Sequence, residues 1–120
     1  MKPKIDKTKF GSITVSGEKY EHDVIIRLNG EVEKRKKKLS KQIYGTSHTL
    51  SKAEAEYVYE DGAARLIIGS GQTGMVELSP EADDFFTKKK CAVELMPTPE
   101  AIEYWNEAGG KTIGLFHVTC

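Results

Sequence analysis

The strongest indication of the fold is the segment at residues 64–80, A-R-L-I-I-G-S-G-Q-T-G-M-V-E-L-S-P. Its uncharged apolar run at residues 66–68 leads directly into the glycines Gly69, Gly71 and Gly74. A short apolar run bounded by turn residues is typical of a strand that is buried on both faces. Open α/β sheets bind ligands at the carboxyl ends of such strands, so we expect a crevice beside these glycines.

Helices and strands alternate after this segment. Ser-Pro at residues 79–80 and Thr-Pro at residues 98–99 each predict a helix start, because a capping hydroxyl precedes a proline at the first helical position. Strands are expected at residues 91–96 and 112–118. Helical connections between sequential strands imply parallel pairing, so the C-terminal half should form a parallel sheet.

The N-terminal third predicts antiparallel strands. Residues 9–15 are expected to form the first strand, with Phe10 as an apolar member. Residues 23–28 and 31–35 flank Asn-Gly at residues 29–30, which is typical of a hairpin with a type I′ turn. We therefore expect an antiparallel hairpin to precede the parallel strands.

The region between these halves contains a loop and a short helix. Residues 39–50 have neither helical nor strand periodicity and are expected to form a loop. Ser51 and Glu54 form a capping box, in which the glutamate should return a hydrogen bond to the serine amide. The complete pattern predicts one α/β domain over residues 1–120, ordered from about residue 9. Its three layers comprise a central mixed sheet, flanking helices and the N-terminal antiparallel hairpin.

Length and charge limit the classes of function. The 120 residues carry 18 basic and 18 acidic side chains, so no global field favours nucleic acid or an anionic membrane. The basic run at residues 34–38 is interpreted as a solvated strand end, with a phosphate or RNA contact as the alternative. The sequence has no apolar stretch of membrane-spanning length and no secretion signal. Its two cysteines do not form a disulfide framework, which suits a reducing compartment. We expect a cytoplasmic protein.

The three glycines match the pattern G-x-G-x-x-G of dinucleotide-binding folds. That chemistry requires a helix to begin at the third glycine, whereas here residues 75–78 intervene before the helix start signal. The sequence therefore predicts no cofactor. Two interpretations remain for the glycines: a turn that packs closely under a loop, or a nest of backbone amides that holds a small anion.

Histidines and hydroxyl groups supply the other polar candidates. His48 lies in the expected loop beside Thr46 and is suited to general base catalysis near neutral pH, although such a loop can also satisfy only its own backbone. His117 and Cys120 are near the end of the chain, but a metal site needs three or four ligands, and the sequence predicts none. No catalytic residue is assigned, because no nucleophile motif is present. The candidate ligand or anion crevice comprises Gly69, Ser70, Gly71, Thr46, His48, His117 and Cys120.

Three motifs resemble the Mth-nine-three-eight domain family over nearly the whole chain, from about Phe10. They are the ending G-x-F-H-x-T-C with Gly114, Phe116, His117, Thr119 and Cys120, the strand and loop I-I-G-S-G at residues 67–71, and G-T-S-H at residues 45–48. The spacing of Ala101, Tyr104 and Asn106 also fits. The family includes archaeal and bacterial single-domain proteins and a vertebrate adipogenesis-associated protein. A mitochondrial assembly factor for complex I is a more distant relative.

That resemblance implies a three-layer fold with a central mixed sheet and implies no reaction. Unlike the tryptophan-rich hairpin of the vertebrate relatives, this hairpin is lysine-rich. Two hypotheses of function follow. The first is a binding or assembly module, a monomer or homodimer, with a protein partner or a small anion as ligand and no nucleic acid or membrane. The alternative is a small enzyme or metabolite-binding protein that uses the crevice of residues 69–74, residues 46–48 and His117.

Overall fold

Residues 2–120, which the computed structural model describes, form ten strands and four helices. The strands are β1 (Ile5–Lys9), β2 (Ser12–Val15), β3 (Glu18–Tyr20), β4 (Val24–Ile26), β5 (Val32–Lys34), β6 (Thr49–Leu50), β7 (Arg65–Ser70), β8 (Glu77–Leu78), β9 (Ala92–Met96) and β10 (Thr112–His117). The helices are α1 (Lys38–Tyr44), α2 (Lys52–Val58), α3 (Pro80–Lys88) and α4 (Thr98–Glu107). None of these helices combines the length and the apolar character that crossing a membrane requires.

Five strands form the central sheet, in the order β5-β4-β10-β7-β9. The last three pair in parallel, with β10 beside β7 and β7 beside β9. On the other side of β10, β4 pairs antiparallel with β10, and β5 pairs antiparallel with β4. This arrangement confirms the predicted mixed sheet. Because β7 and β10 are internal strands, most of their side chains are apolar and all but that of Arg65 are buried.

The two faces of the sheet bury different side chains of the same strand. Leu66 and Ile68 of β7 pack on one face with residues of α2 and α3, including Phe86. Ile67 packs on the opposite face with Trp105 of α4 and with residues of β1 and β2. Alternate residues of a strand point to opposite faces, so the run at residues 66–68 supplies both cores. The three-layer prediction is confirmed.

The predicted first strand is wrong at its N-terminal end. The structure has β1 and β2 in place of one strand at residues 9–15, and the turn between them contains Phe10 and Gly11. Gly11 has a φ of 91°, and its amide donates to the carbonyl oxygen of Val118. Phe10 is therefore not a core residue, and 68% of its surface is exposed.

The predicted hairpin between β4 and β5 is confirmed, whereas its type I′ turn is wrong. Only Gly30 has a positive φ in this turn, at 91°, while a type I′ turn needs a positive φ at Asn29 as well. The amide of Gly30 donates to the carbonyl of Arg27, whose own amide donates to the carbonyl of Glu31. These bonds define a three-residue loop that ends with a glycine in the left-handed region.

Helix α1 occupies the first half of residues 39–50, which the sequence predicts as a loop. It has seven residues and ends at Gly45, which takes a φ of 71°. Its only buried residue is Ser40, so the apolar periodicity that identifies a helix in a sequence is missing. Contacts with the rest of the fold stabilise this helix, and they override the weak local pattern.

All three predicted helices are present, and two of their three predicted caps are confirmed. The hydroxyl groups of Ser51 and Ser79 accept hydrogen bonds from the amides of Glu54 and Ala82, at 3.1 and 3.0 Å. Thr98 does not cap α4, because it is already the first helical residue and its hydroxyl group bonds elsewhere.

Candidate functional site

The carboxyl ends of β7 and β10 lie side by side, as the prediction of a crevice requires. In the parallel register, Ser70 is the partner of His117. The ring of His48 lies against the ring of His117, with 5.5 Å between the ring centroids, and the hydroxyl group of Thr46 accepts from the His48 amide. A Cβ atom added to Gly71 would lie 2.9 Å from the His117 ring. The structure thus brings together all three segments of the candidate crevice.

Thr98 connects the glycine loop, residues 69–75, to β10. Its hydroxyl group donates to the carbonyl oxygen of His117 at 2.7 Å and accepts from the amide of Gly71 at 2.9 Å. A Cβ atom on Gly69 would lie 2.8 Å from the same hydroxyl oxygen. The glycine at this position therefore permits the close approach of α4 to the sheet.

The backbone amides of the glycine loop bind the last residues of the chain. The amide of Gln72 donates to the carbonyl of Thr119 at 2.7 Å, and the amides of Thr73 and Met75 donate to the main-chain oxygen of Cys120 at 3.3 and 3.1 Å. An anion held by these amides stays a prediction, and binding it would require residues 119–120 to move away.

Two groups near this loop differ in their surroundings. Cys120 is exposed, and the hydroxyl group of Thr73 donates to its main-chain oxygen. The hydroxyl oxygen of Ser70 is buried and has no hydrogen-bond partner among the described residues.

Within residues 2–120, histidine, cysteine and carboxylate side chains do not gather into a group of three or more that could hold a metal ion.

A buried guanidinium group organises the polar region beyond His117. Arg35 follows β5 and is only 4% exposed. It donates from Nη1 to Asp23 at 2.9 Å, from Nε and Nη2 to the two carboxylate oxygens of Glu54 at 2.5 and 3.1 Å, and from Nη2 to the carbonyl of Ser47 at 2.8 Å. One arginine therefore ties the β4–β5 hairpin to α2 and to the segment after α1.

The predicted capping box is wrong in one of its two hydrogen bonds, because Glu54 does not accept from the amide of Ser51. Its carboxylate is fully buried and accepts from Arg35 and from the hydroxyl group of Ser40. The amide of Ser51, which the capping box assigns to Glu54, donates to the Ser40 oxygen at 3.0 Å. An ion pair with a guanidinium group is stronger than a bond to a neutral amide, so the tertiary contact replaces the local one.

Asp23 links this network to the last strand. One carboxylate oxygen accepts from the amide of Val118 at 2.9 Å, and the other lies 2.7 Å from Nδ1 of His117. Burial alone would raise the pKa of Asp23, but the hydrogen bond from His117, the charge of that ring when protonated, the hydrogen bond from Val118 and the charge of Arg35 outweigh burial. Together they lower the pKa of Asp23 from 3.8 to about 2, so this carboxylate is ionised.

The contacts of His117 assign its tautomer. An ionised carboxylate can only accept, so Nδ1 carries a hydrogen and donates to Asp23. In the neutral ring Nε2 is then an acceptor, and it lies 3.1 Å from the hydroxyl oxygen of Thr119. The sequence gives no sign of this arrangement, because Asp23 and His117 are 94 residues apart.

An open cleft of about 690 Å³ borders this network. It is lined by Gly11, Glu21, His22, Asp23, Lys34, Arg35, Lys36, Lys37, Lys38, Val118 and Thr119. Because Asp23 and Arg35 are buried and paired with each other, the remaining charged side chains are four lysines and one glutamate. We call this the lysine cleft.

The lysines differ in how far they are neutralised. Lys37 lies 3.8 Å from the carboxylate of Asp23, and Lys36 lies over the ring of Tyr57 at 4.5 Å. Within the described chain, Lys34, Lys36 and Lys38 have no carboxylate at ion-pair distance. The run that the sequence suggests as a solvated strand end thus forms one wall of a concave surface.

Comparison with known proteins identifies similar chains but no activity. A family model described as "Protein of unknown function (DUF498/DUF598)" matches residues 5–112. The conserved hypothetical protein PH1505 from Pyrococcus horikoshii is similar at 34% identity with a TM-score of 0.88, over 98% of this chain and 99% of that one. The protein MT938 is similar at 35% identity with a TM-score of 0.82, over the same shares. A Mth938-like domain from Bordetella pertussis shares the fold at 15% identity and a TM-score of 0.65, over 97% of this chain and 85% of that one.

Proposed function

This chain belongs to that family of proteins of unknown function, and from this premise we propose that it is a binding module for a small polyanionic ligand, which it holds in the lysine cleft. The resemblance noted in the sequence is confirmed, and like the family description it assigns no reaction. The proposal therefore rests on the cleft itself. Among the described residues, three of its lysines have no carboxylate within 4.0 Å, and they line one concave surface in a chain whose net charge is zero.

The size and the charge of the cleft support this choice of ligand. A volume of about 690 Å³ is typical of sites for metabolites. Exposed like charges repel each other, so gathering them costs free energy that a bound anion recovers. Because several lysines line the cleft, a ligand with two or more negative charges is attracted to it more strongly than a ligand with a single charge.

The buried ion pair of Asp23 and Arg35 lies beneath the lysines of the cleft. Asp23 and Arg35 line its floor and neutralise each other, so they add little net charge to the site. They also fix the base of the β4–β5 hairpin, from which the basic run leaves the sheet. We infer that the floor provides rigidity and that the lysines provide the attraction.

Titration with inorganic pyrophosphate, followed by calorimetry and by amide chemical shifts, tests the proposal. We expect saturable binding that weakens as salt increases, with the largest shifts at residues 21–23 and 34–38. The double variant K34Q/K38Q should weaken binding at least about tenfold, or ~1.4 kcal/mol. The control K52Q/K88Q removes the same charge from exposed lysines outside the cleft and should bind as the unmodified chain does.

Three results would contradict the proposal. The first is the absence of saturable binding at low salt, which would leave the lysines as a solvated surface. The second is saturable binding with shifts confined to residues 46–48 and 69–75, which would favour the crevice beside His117. The third is equal weakening in both double variants, which would indicate only a general charge effect.

A further inference from the structure

We propose that Thr119 is the nucleophile of an acyl-transfer site on the floor of the lysine cleft, with His117 as its general base and Asp23 as a positioning residue. The substrate class is a carboxylic ester or thioester that carries a phosphate or a second carboxylate. That choice of substrate rests on the proposed function, because the lysines would hold the anionic group. The assignment of Thr119 as the nucleophile does not depend on the lysines, because it rests on the contacts among Asp23, His117 and Thr119.

The three side chains have the connectivity of a nucleophile, a base and an orienting acid. Asp23 accepts from Nδ1 of His117 at 2.7 Å, and Nε2 of His117 lies 3.1 Å from Oγ1 of Thr119. Such constellations are recognised by geometry and roles, since they occur on unrelated folds and in any chain order. Here the order is Asp, His, Thr, and the residues come from the segment before β4, from β10 and from the residues after it.

Burial and charge hold the base in one orientation. His117 is 2% exposed, and Asp23, 1% exposed, is itself held by Arg35 and by the amide of Val118. Nη1 of Arg35 is 3.5 Å from Nδ1 of His117, and both groups donate to the same oxygen of Asp23. The imidazole therefore cannot turn without breaking a buried contact, and Nε2 stays directed at Thr119.

Thr119 connects the buried ring to solvent. It is half-buried and lines the lysine cleft, whereas His117 is not among the residues of its wall. The carbonyl of Thr119 accepts from the amide of Gln72, which fixes the backbone and so the position of the hydroxyl group. A reactive group at the boundary between a buried base and an open cleft is accessible to a substrate.

The chemical step balances within these groups. Oγ1 of Thr119 forms a bond to the carbonyl carbon of the ester while its proton passes to Nε2 of His117. When the tetrahedral intermediate collapses, the bond to the leaving oxygen or sulfur breaks, and that atom takes the proton from Nε2. Water then attacks the acyl-threonine by the same route in reverse, which releases the carboxylic acid and restores the hydroxyl group.

An uncharged alkyl fluorophosphonate tests the nucleophile without knowledge of the substrate. The Oγ1–P bond forms, the P–F bond breaks, fluoride leaves, and the proton passes through His117 to solvent. We expect one phosphonyl group per chain, located at Thr119 by mass spectrometry of peptides. T119V should lower the labelling rate at least about 10²-fold, while T119S, which keeps the hydroxyl group, should retain labelling.

The matched control is T87V, because the hydroxyl group of Thr87 bonds to the main-chain oxygen of Asp83 within α3 and has no histidine partner. Its labelling should equal that of the unmodified chain. Pyrophosphate titration of T119V and labelling of K34Q/K38Q separate the two proposals. T119V should still bind pyrophosphate, and the lysine variant should still react with an uncharged probe.

An unlabelled native chain would overturn the assignment, and this result needs no variant. Labelling at any residue other than Thr119, or at equal rates in T119V and the native chain, would also overturn it. Loss of pyrophosphate binding in K34Q/K38Q with no labelling in any chain would keep the binding module and remove the nucleophile.

Discussion

The glycine loop and the lysine cleft lie at the same end of the sheet, and they use their polar groups in opposite ways. The glycine loop, residues 69–75, donates its amides to Thr98, Thr119 and Cys120 of the same chain. The lysine cleft leaves Lys34, Lys36 and Lys38 without acidic partners in the part of the chain described here. The amides of the glycine motif are therefore satisfied within the chain, whereas the solvated lysines are the groups available to the ligand that we propose.

The difference shows how to distinguish a structural motif from a binding surface. Buried polar groups must be paired, because leaving one unpaired costs free energy, so a loop within the fold finds its partners in the chain. Exposed ammonium groups are solvated and need no partner, which leaves them available to an external anion. Three predictions examine the paired and unpaired sides of this comparison.

The largest effect is expected from Arg35→Met, which removes the cation under the lysine cleft. Asp23 and Glu54 would remain buried without their counter-ion, so we expect a loss of about 3–5 kcal/mol in the free energy of unfolding. Urea denaturation measures this loss. In the control Arg65→Met, a half-buried guanidinium group loses its contact with the Tyr104 ring at 5.9 Å, and the change should stay below about 1 kcal/mol. Equal losses in the two variants would mean that the buried network does not stabilise the cleft.

Gly71→Ala is expected to have the next largest effect, because it removes the contact between the glycine loop and the last residues. A Cβ atom there would lie 2.2 Å from the carbonyl carbon of Cys120, and the φ of 111° is strained for any residue with a side chain. We expect a loss of about 2–4 kcal/mol, measured by urea denaturation. Gly109→Ala is the control, since its added Cβ meets no atom within 4 Å, and it should stay within about 0.5 kcal/mol. A Gly71→Ala variant as stable as this control would show that the loop does not depend on these contacts.

The smallest effect is the pH dependence that Asp23 gives to the floor of the lysine cleft. Its pKa falls from 3.8 to about 2 on folding, so the unfolded chain binds a proton more readily. The carboxylate then contributes about 2 kcal/mol above pH 4, and this contribution is lost as the pH falls from about 4 to about 2. Unfolding free energies between pH 6 and pH 2, compared with those of Asp23→Asn, should show a shallower curve for the variant. Asp84→Asn, an exposed change, should follow the unmodified chain, and identical curves for all three would exclude Asp23 as the source.

Local signals in the sequence predict much of the fold. Ser79 followed by Pro80 fixes the start of α3, because both the capping hydroxyl and the fixed φ of proline act within one turn. The apolar run at residues 66–68 identifies β7, since a strand buried on both faces needs no polar alternation. The turn at Asn29 and Gly30 is predicted as a hairpin but with the wrong dihedral angles, because both turn types accept the same residues.

The candidate site could be predicted only in part. His117, His48 and the glycines are visible as residue types near strand ends, and the structure does bring them together. Arg35 and Glu54 are not recognisable, because a basic run and a capping box explain them equally well within the sequence. The sequence identifies Thr119 only as part of the family motif and does not predict its contact with Nε2 of His117.

The sequence by itself determined the alternation of strands and helices from β7 to β10, the mixed sheet and the position of the glycine turn after β7. These properties depend on side-chain periodicity, capping residues and turn residues that act over a few positions. Only the tertiary structure decided which groups are paired. Asp23 meets His117 across 94 residues, Arg35 meets Glu54 across 19, and the amides of the glycine loop meet the final residues. Such partners are selected by burial, because a charge or amide removed from water must bind whatever the fold brings beside it.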